Sequence, residues 1–138
     1  MIKAVLDTNV VVSGQLNELG PPGLILKLAF SNFFRVYASE PLLEEYAAVL
    51  AQPPLRFDSH DVAQWMREIR RVATIVQPRQ NLSVTTDPDD NRFVECALEA
   101  RAEFIVTGNT RHFPARFQDI RVIKPRPFLI ILASEPRP

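Results

Sequence analysis

Apolar and polar positions along this chain change rhythm at regular intervals. Ile2 to Leu6 is a short, nearly continuous apolar run, the pattern of a strand buried on both faces. After the turn Gly20-Pro21-Pro22-Gly23, residues Leu24, Ile25 and Leu28 supply a helix face, with Pro22 suited to a first helical turn. Phe34 to Ala38 returns to strand character, and Ser39 is placed to cap a helix running to about Ala51. Val62, Trp65, Met66, Ile69 and Val72 recur at helical spacing in a segment that begins at Ser59 or Asp61. Thr74 to Val76 predicts a short strand and Asn91 to Ala102 a helix. Phe104 to Thr107 and Arg121 to Ile123 predict two more strands, and Arg126 to Ala133 a closing helix. Prolines fall mostly between these elements. Strands alternating with helices predict an α/β fold, a mostly parallel sheet covered on both faces. Ligands of such sheets gather at the carboxyl ends of the strands, and Asp7 falls at that end of the first.

The acids near these strand ends can be sorted by geometry. Asp7 opens Thr8-Asn9, where an aspartate either caps the next turn or binds something. After Ser39, a turn of about 100° per residue puts Leu42, Leu43, Tyr46, Val49 and Leu50 on one face. Glu44 lies nearly opposite and is expected in solvent. Glu45 lies on the border, from which a side chain reaches a cleft beside the core. Glu40, in the first turn, suits the helix dipole. In the segment after Asp87-Pro88-Asp89-Asp90-Asn91, the residues Phe93, Val94, Ala97 and Leu98 form the expected buried face. Asp90 projects onto the middle of that stripe, Asp89 is placed to serve as the N-cap, and Glu95 and Glu99 point away. A calcium loop of the EF-hand type fails here. Counted from Asp87, Arg92 stands where glycine is required and Leu98 where the ligating glutamate belongs. Val106-Thr107 ends another strand and runs into Gly108-Asn109-Thr110-Arg111-His112, where Asn109 and His112 are candidate ligand contacts. Inward carboxylates are costly to bury without a cation, and hard oxygen donors suit Mg²⁺ or Mn²⁺. The pattern points to metal-dependent phosphate chemistry.

Composition narrows the setting. The 138 residues fit one domain, expected over residues 1–133 with a dispensable tail at 134–138, and 46% hydrophobic content argues against disorder. Sixteen basic and sixteen acidic residues cancel, so no global field announces a nucleic-acid partner. Local asymmetry remains: Asp87 to Glu103 holds six acids and two arginines, whereas Arg111 to Arg126 holds five basic residues and one acid, Asp119. That order suits a metal site beside a phosphate-backbone track. The single cysteine, Cys96, excludes an internal disulfide framework and a cysteine-based zinc site. With no secretory leader pattern and no apolar run long enough to span a bilayer, a cytoplasmic protein without a membrane partner is expected.

Four motifs now carry a resemblance. Leu6-Asp7-Thr8-Asn9-Val10, Ser39-Glu40-Pro41-Leu42-Leu43-Glu44-Glu45, Asp87-Pro88-Asp89-Asp90-Asn91-Arg92-Phe93 and Val106-Thr107-Gly108-Asn109 occur in the order and spacing of PIN domains. The chain resembles that family from Ile2 to about Leu132, and within it the toxin–antitoxin PIN toxins, relatives of the VapC toxins. The resemblance implies a three-layer α/β/α sandwich and a Mg²⁺- or Mn²⁺-dependent ribonuclease. Asp7, Glu45 and Asp90 would be its catalytic and metal-binding carboxylates. Thr8, Asn9, Thr107, Asn109, Arg111 and His112 would contact RNA or hold those carboxylates. It also implies a homodimer and a small antitoxin that blocks the site, and single-stranded RNA is the expected substrate. The chain departs from the family pattern in one place: Asn109 and His112 stand where relatives carry aspartate.

Two other readings compete. A PIN fold lacking one acid could have lost its chemistry and serve as an RNA- or protein-binding module. A phosphatase of the haloacid-dehalogenase type also begins with an aspartate at a strand end, but it needs a second acid two positions on, where this chain has Asn9.

Overall fold

The structure is a computed structural model that describes residues 1–135; the last part of the expected tail, 136–138, lies outside the described residues. The chain runs through Lys3–Leu6 (β1), Thr8–Leu16 (α1), Pro21–Phe30 (α2), Arg35–Ala38 (β2), Glu40–Ala51 (α3) and Ser59–Val72 (α4). It continues through Thr74–Ile75 (β3), Asn91–Ala100 (α5), Phe104–Val106 (β4), Arg116–Phe117 (β5), Ile120–Ile123 (β6) and Pro125–Ser134 (α6), with single 3₁₀ turns at Pro88–Asp90 and Thr110–His112. The strands form one sheet in the order β3-β2-β1-β4-β6-β5. All neighbours are parallel except the β5–β6 hairpin. With helices on both faces, the expected three-layer α/β/α sandwich is present.

This order places a topological switch at the centre of the sheet. From β1 the chain winds outward through β2 to β3, then returns to β4 on the other side of β1. Leu6 is in register with Val106, so Asp7 and Thr107 leave neighbouring strands side by side. Such a divergence leaves a crevice at the carboxyl ends, the usual ligand position in open α/β sheets. Among the described residues no helix is long and apolar enough to cross a membrane.

The core follows the apolar pattern closely. Ala4, Val5 and Leu6 are buried, as are Phe104, Ile105 and Val106 opposite them. Phe128 of α6 meets Phe34 and Phe104 edge to face, with ring centroids 5.2 and 5.6 Å apart. Such aromatic pairs add to the area they bury. Helix α4 buries Val62 and Ile69 while Trp65, Met66 and Val72 are half-buried, and Phe57 meets Trp65 edge to face.

Several expectations need correction. Thr8 to Leu16 is a helix rather than a turn, capped by the Asp7 carboxylate, which accepts from the Thr8 N–H. In α2 the buried face is Ile25, Leu26 and Ala29; Leu24 is exposed because the helix begins at Pro21 and its face falls one residue later. Val49, at the edge of the α3 stripe, is also exposed. Asp89 does not cap α5. Asp87 instead accepts from the Asp89 N–H and caps the preceding 3₁₀ turn. Glu95 is buried, not solvent-facing, because the segment before the 3₁₀ turn folds over that side of α5. Its carboxylate accepts from Leu82 N at 2.7 Å and pairs with Arg92 at 2.7 Å. Glu99 is partly covered and pairs with exposed Arg79. The two-residue strand β5 has no counterpart in the sequence reading, and α6 extends through Ser134, the first residue of the expected tail.

Candidate active site

The crevice is built around Asp7. Its backbone N–H donates to Val106 O at 2.9 Å, which continues the β1–β4 ladder one step past the strand. Behind it, the Tyr46 hydroxyl donates to Leu6 O, tying α3 to the end of β1. The Asp7 carboxylate is then held on both oxygens. Oδ1 accepts from Thr8 N at 2.8 Å, and Oδ2 accepts from Thr107 Oγ1 at 2.7 Å and Asn9 Nδ2 at 3.2 Å. Asp7 is therefore both the cap of α1 and a carboxylate of the crevice.

Asn9 locks the two strand exits together. Its amide donates to Thr107 Oγ1 at 3.3 Å, while its Oδ1 accepts from Gly108 N at 3.0 Å. Gly108 and Asn109 turn tightly over Thr107, whose hydroxyl also accepts from Asn109 N at 3.0 Å. Thr8 reaches the other way: its hydroxyl donates to Glu45 Oε2. Thr8, Asn9 and Thr107 thus position carboxylates, as second partners commonly do for metal ligands.

Glu45 stands half-buried on the border of α3, and Glu44 beside it is exposed, as the helical geometry predicts. Asp90 follows the 3₁₀ turn at the start of α5 and makes no capping hydrogen bond. Its Oδ2 is buried without a hydrogen-bond partner among the described residues. His112 Nδ1 stands 3.5 Å from it, while His112 Nε2 faces Asn109 Nδ2 at 3.0 Å. Arg111 lies in the same turn, exposed.

The three carboxylates feel one another. Burial raises the Asp7 pKa, against the lowering effect of the Thr107 and Thr8 hydrogen bonds and of His112. Burial likewise raises Glu45; the Thr8 hydrogen bond opposes this, and the charges of Asp7, Asp89 and Asp87 reinforce it. Asp90 is pushed up to about 6, by burial first and then by Asp7 and Asp87, with His112 opposing and Glu45 adding. Mutually repelling carboxylates in a crevice mark a site where a cation would be favoured.

As they stand, no three His, Cys, Asp or Glu side chains among the described residues are grouped closely enough to hold a metal ion. The donor chemistry fits one nonetheless. The set is all hard oxygen, one carboxylate oxygen accepts no hydrogen bond among the described residues, and Mg²⁺ usually keeps several waters while taking only one or two protein carboxylates.

Comparison with known proteins supports the fold. A family model for the PIN domain matches residues 3–111, from the first strand through the turn that carries Arg111. The chain belongs to the PIN-domain family. PIN domains are generally nucleases, and all nine expected site residues lie within or one residue beyond the matched span. An uncharacterised protein of Methanocaldococcus jannaschii is 35% identical over 111 residues, covering 78% of this chain and 71% of its own length.

The sequence reading missed some of the site's supports. Asn91 is buried and accepts from Val84 N, Thr85 N and Thr85 Oγ1, all near 3 Å, which clamps the segment before the 3₁₀ turn and so fixes Asp90. One signal existed: Asn91 precedes Val94 and Leu98 by three and seven residues, so it is a polar side chain in an apolar stripe. Of the five basic residues from Arg111 to Arg126, only part can serve a backbone track. Arg116 is opposite Arg121 across the hairpin, and Arg121 is in register with Phe104 at the start of β4, at the amino end of the sheet.

Proposed function

We propose that this PIN domain is a metal-dependent endoribonuclease in which Asp7, Glu45 and Asp90 hold Mg²⁺ or Mn²⁺. The observation that supports it best is the buried Asp90 Oδ2, which accepts no hydrogen bond among the described residues, beside two further carboxylates whose proton affinities are raised. The chemistry supplied by a bound divalent ion is Lewis acidity, which makes water a better nucleophile and offsets charge on the phosphate. The chain's own part is positioning. Thr107, Asn9 and Thr8 orient Asp7, and the Thr8 hydroxyl restrains Glu45. Asp90 or Glu45 is the group placed to accept the water's proton. His112, its Nδ1 3.5 Å from the Asp90 carboxylate, opposes the rise in that group's proton affinity.

The resemblance to toxin–antitoxin PIN toxins extends the proposal to a toxin role, with single-stranded RNA as substrate, a second copy of the chain as a dimer partner and a small antitoxin as inhibitor. The deciding experiment incubates a mixed single-stranded and structured RNA with Mn²⁺, Mg²⁺ or EDTA, beside the Asp90→Asn variant. Metal-dependent cuts that vanish in the variant support the nuclease and its site together. One second reading has an observation behind it: Asn109 and His112 leave the fourth motif without an acid. RNA binding indifferent to EDTA, with no cleavage by folded protein, would establish a binding module instead.

A further inference from the structure

The turn that follows β4 brings a nitrogen donor to the carboxylates. Thr107 Oγ1 donates to Asp7 Oδ2 at 2.7 Å and accepts from Asn109 N at 3.0 Å, so this turn is fastened to the first acid of the crevice. From the same turn His112 brings its Nδ1 within 3.5 Å of Asp90 Oδ2. The imidazole is about half exposed, whereas this Asp90 oxygen is shielded from solvent. The ring therefore approaches the carboxylates from the solvent side.

The distance between the two atoms is informative. A hydrogen bond would hold them at about 2.7 to 3.2 Å, and this oxygen accepts none among the described residues. Two donors each about 2.1 Å from one ion, at tetrahedral or octahedral angles, stand about 3.0 to 3.4 Å apart. The 3.5 Å gap is thus close to the spacing of two ligands that share an ion. The far side of the ring suits the same role. Nε2 faces the Asn109 amide at 3.0 Å, and that amide makes no capping bond that would fix it one way round. The two ends of an amide have the same shape, so its oxygen can accept the Nε2 proton and leave the Nδ1 lone pair toward Asp90. Ligating imidazoles commonly have a partner of this kind on the other nitrogen.

We propose that His112 Nδ1 is a ligand of the crevice ion beside Asp90, and that this nitrogen makes the site select Mn²⁺ and other first-row transition ions over Mg²⁺. The inference rests on the metal-dependent reading above and narrows it. Mg²⁺ favours oxygen donors and gives up its waters reluctantly. Imidazole binds the transition ions, and affinity rises along their series from Mn²⁺. The fourth motif, which has no acid, then still contributes to the site, through a neutral donor instead of a charged one.

The test reads binding and needs no catalysis. The full chain, stripped of metal, is titrated with Mn²⁺, alone and with Mg²⁺ as competitor, while free Mn²⁺ is followed by electron paramagnetic resonance. Mn²⁺ is expected to bind about thirtyfold or more tightly than Mg²⁺. His112→Ala should weaken Mn²⁺ by about tenfold or more and Mg²⁺ by less than about threefold. Pulsed electron paramagnetic resonance of the Mn²⁺-loaded wild type, with and without ¹⁵N-histidine, should show a directly coordinated imidazole nitrogen. The chain has two histidines, and His60 is exposed on α4. Loss of the coupling in His112→Ala and its retention in His60→Gln would therefore assign it. Bound Mn²⁺ without a histidine coupling, a coupling that follows His60, or equal weakening of both ions in His112→Ala would overturn the proposal and leave the carboxylate site standing. Binding of neither ion by the wild type would overturn both. A histidine-bound Mn²⁺ in a chain that never cleaves RNA would support the ligand and remove the nuclease reading alone.

Discussion

At the scale of single residues, Asp90 is pulled in two directions. Its carboxylate is placed for a cation, yet it is partly buried among other acids and has one oxygen without a hydrogen bond. Asp90→Asn should therefore lower RNA cleavage by about a hundredfold or more while the circular dichroism spectrum is unchanged. Without metal the same change should stabilise the protein, and the sign follows from linkage. Asp90 titrates near 3.8 when unfolded and at about 6 when folded, so between these values the folded state binds more protons. Its contribution to stability is then lost as pH rises from about 4 to about 6. In EDTA, denaturant melts of wild type and variant should coincide at pH 3.5 or below and separate above pH 6, with the variant the more stable. Identical melts at pH 7 would show that the Asp90 charge is not penalised by the fold. His112 provides the converse case. Its ring stands 3.5 Å from Asp90 Oδ2, so His112→Asp adds a hard oxygen beside an oxygen that accepts no hydrogen bond among the described residues. Cleavage should then saturate at about tenfold lower Mn²⁺. An unchanged Mn²⁺ requirement would mean that this turn does not reach the ion.

At the scale of elements, close approach decides more than propensity does. A Cβ on Gly23 would lie 2.4 Å from Glu18 O and 2.6 Å from Asn17 O, both backbone atoms. A Cβ on Gly14 would lie 2.3 Å from Leu26 Cδ1, the end of a side chain that can rotate away. Gly23→Ala should thus destabilise the fold by about 3 kcal/mol and Gly14→Ala by about 1 kcal/mol, read from urea midpoints. A reversed order would mean that the α1–α2 contact is less accommodating than the loop before α2. The elements legible in the sequence were those with a single clean period. Helix α4 shows its Val62, Trp65, Ile69 stripe without ambiguity, and α3 separates Glu44 from Glu45 correctly. Helix α1 was hidden because three consecutive valines, Val10 to Val12, carry no helical period and favour strands when read locally. Its capping signal, Asp7, is visible, but an aspartate at a strand end suits ligand binding equally well. Glu95 was misplaced for a different reason. A helical wheel knows only the helix, and what buries Glu95 is a separate segment whose Leu82 N–H needs an acceptor. Tertiary partners of that kind leave no trace in periodicity.

At the scale of the whole molecule, charge is distributed by sheet end rather than by sequence. Arg111 and Lys124 are exposed just after β4 and β6, and Arg126 is exposed in the first turn of α6, at the carboxyl ends where the carboxylates lie. Arg116 and Arg121 oppose each other at the amino end, and Arg121 also stands over the Phe104 ring at 5.6 Å. If RNA crosses the carboxyl ends, Arg111→Ala should reduce the slope of log affinity against log salt by about 0.7, and Arg116→Ala should leave it unchanged. Equal effects of the two variants would move the RNA track elsewhere. The carboxylate crevice itself is assembled from distant parts of the chain. Asp7 is braced by Thr107, a hundred positions away, and Glu45 is restrained from Thr8. A chain synthesised from its amino end produces Asp7 first and the strand that braces it late. Until Phe104 to Val106 has left the ribosome and paired with β1, the first carboxylate has no Thr107 beside it and the crevice has only one wall. The crevice is thereby kept open on one side for that part of synthesis, in the presence of the cell's densest store of RNA.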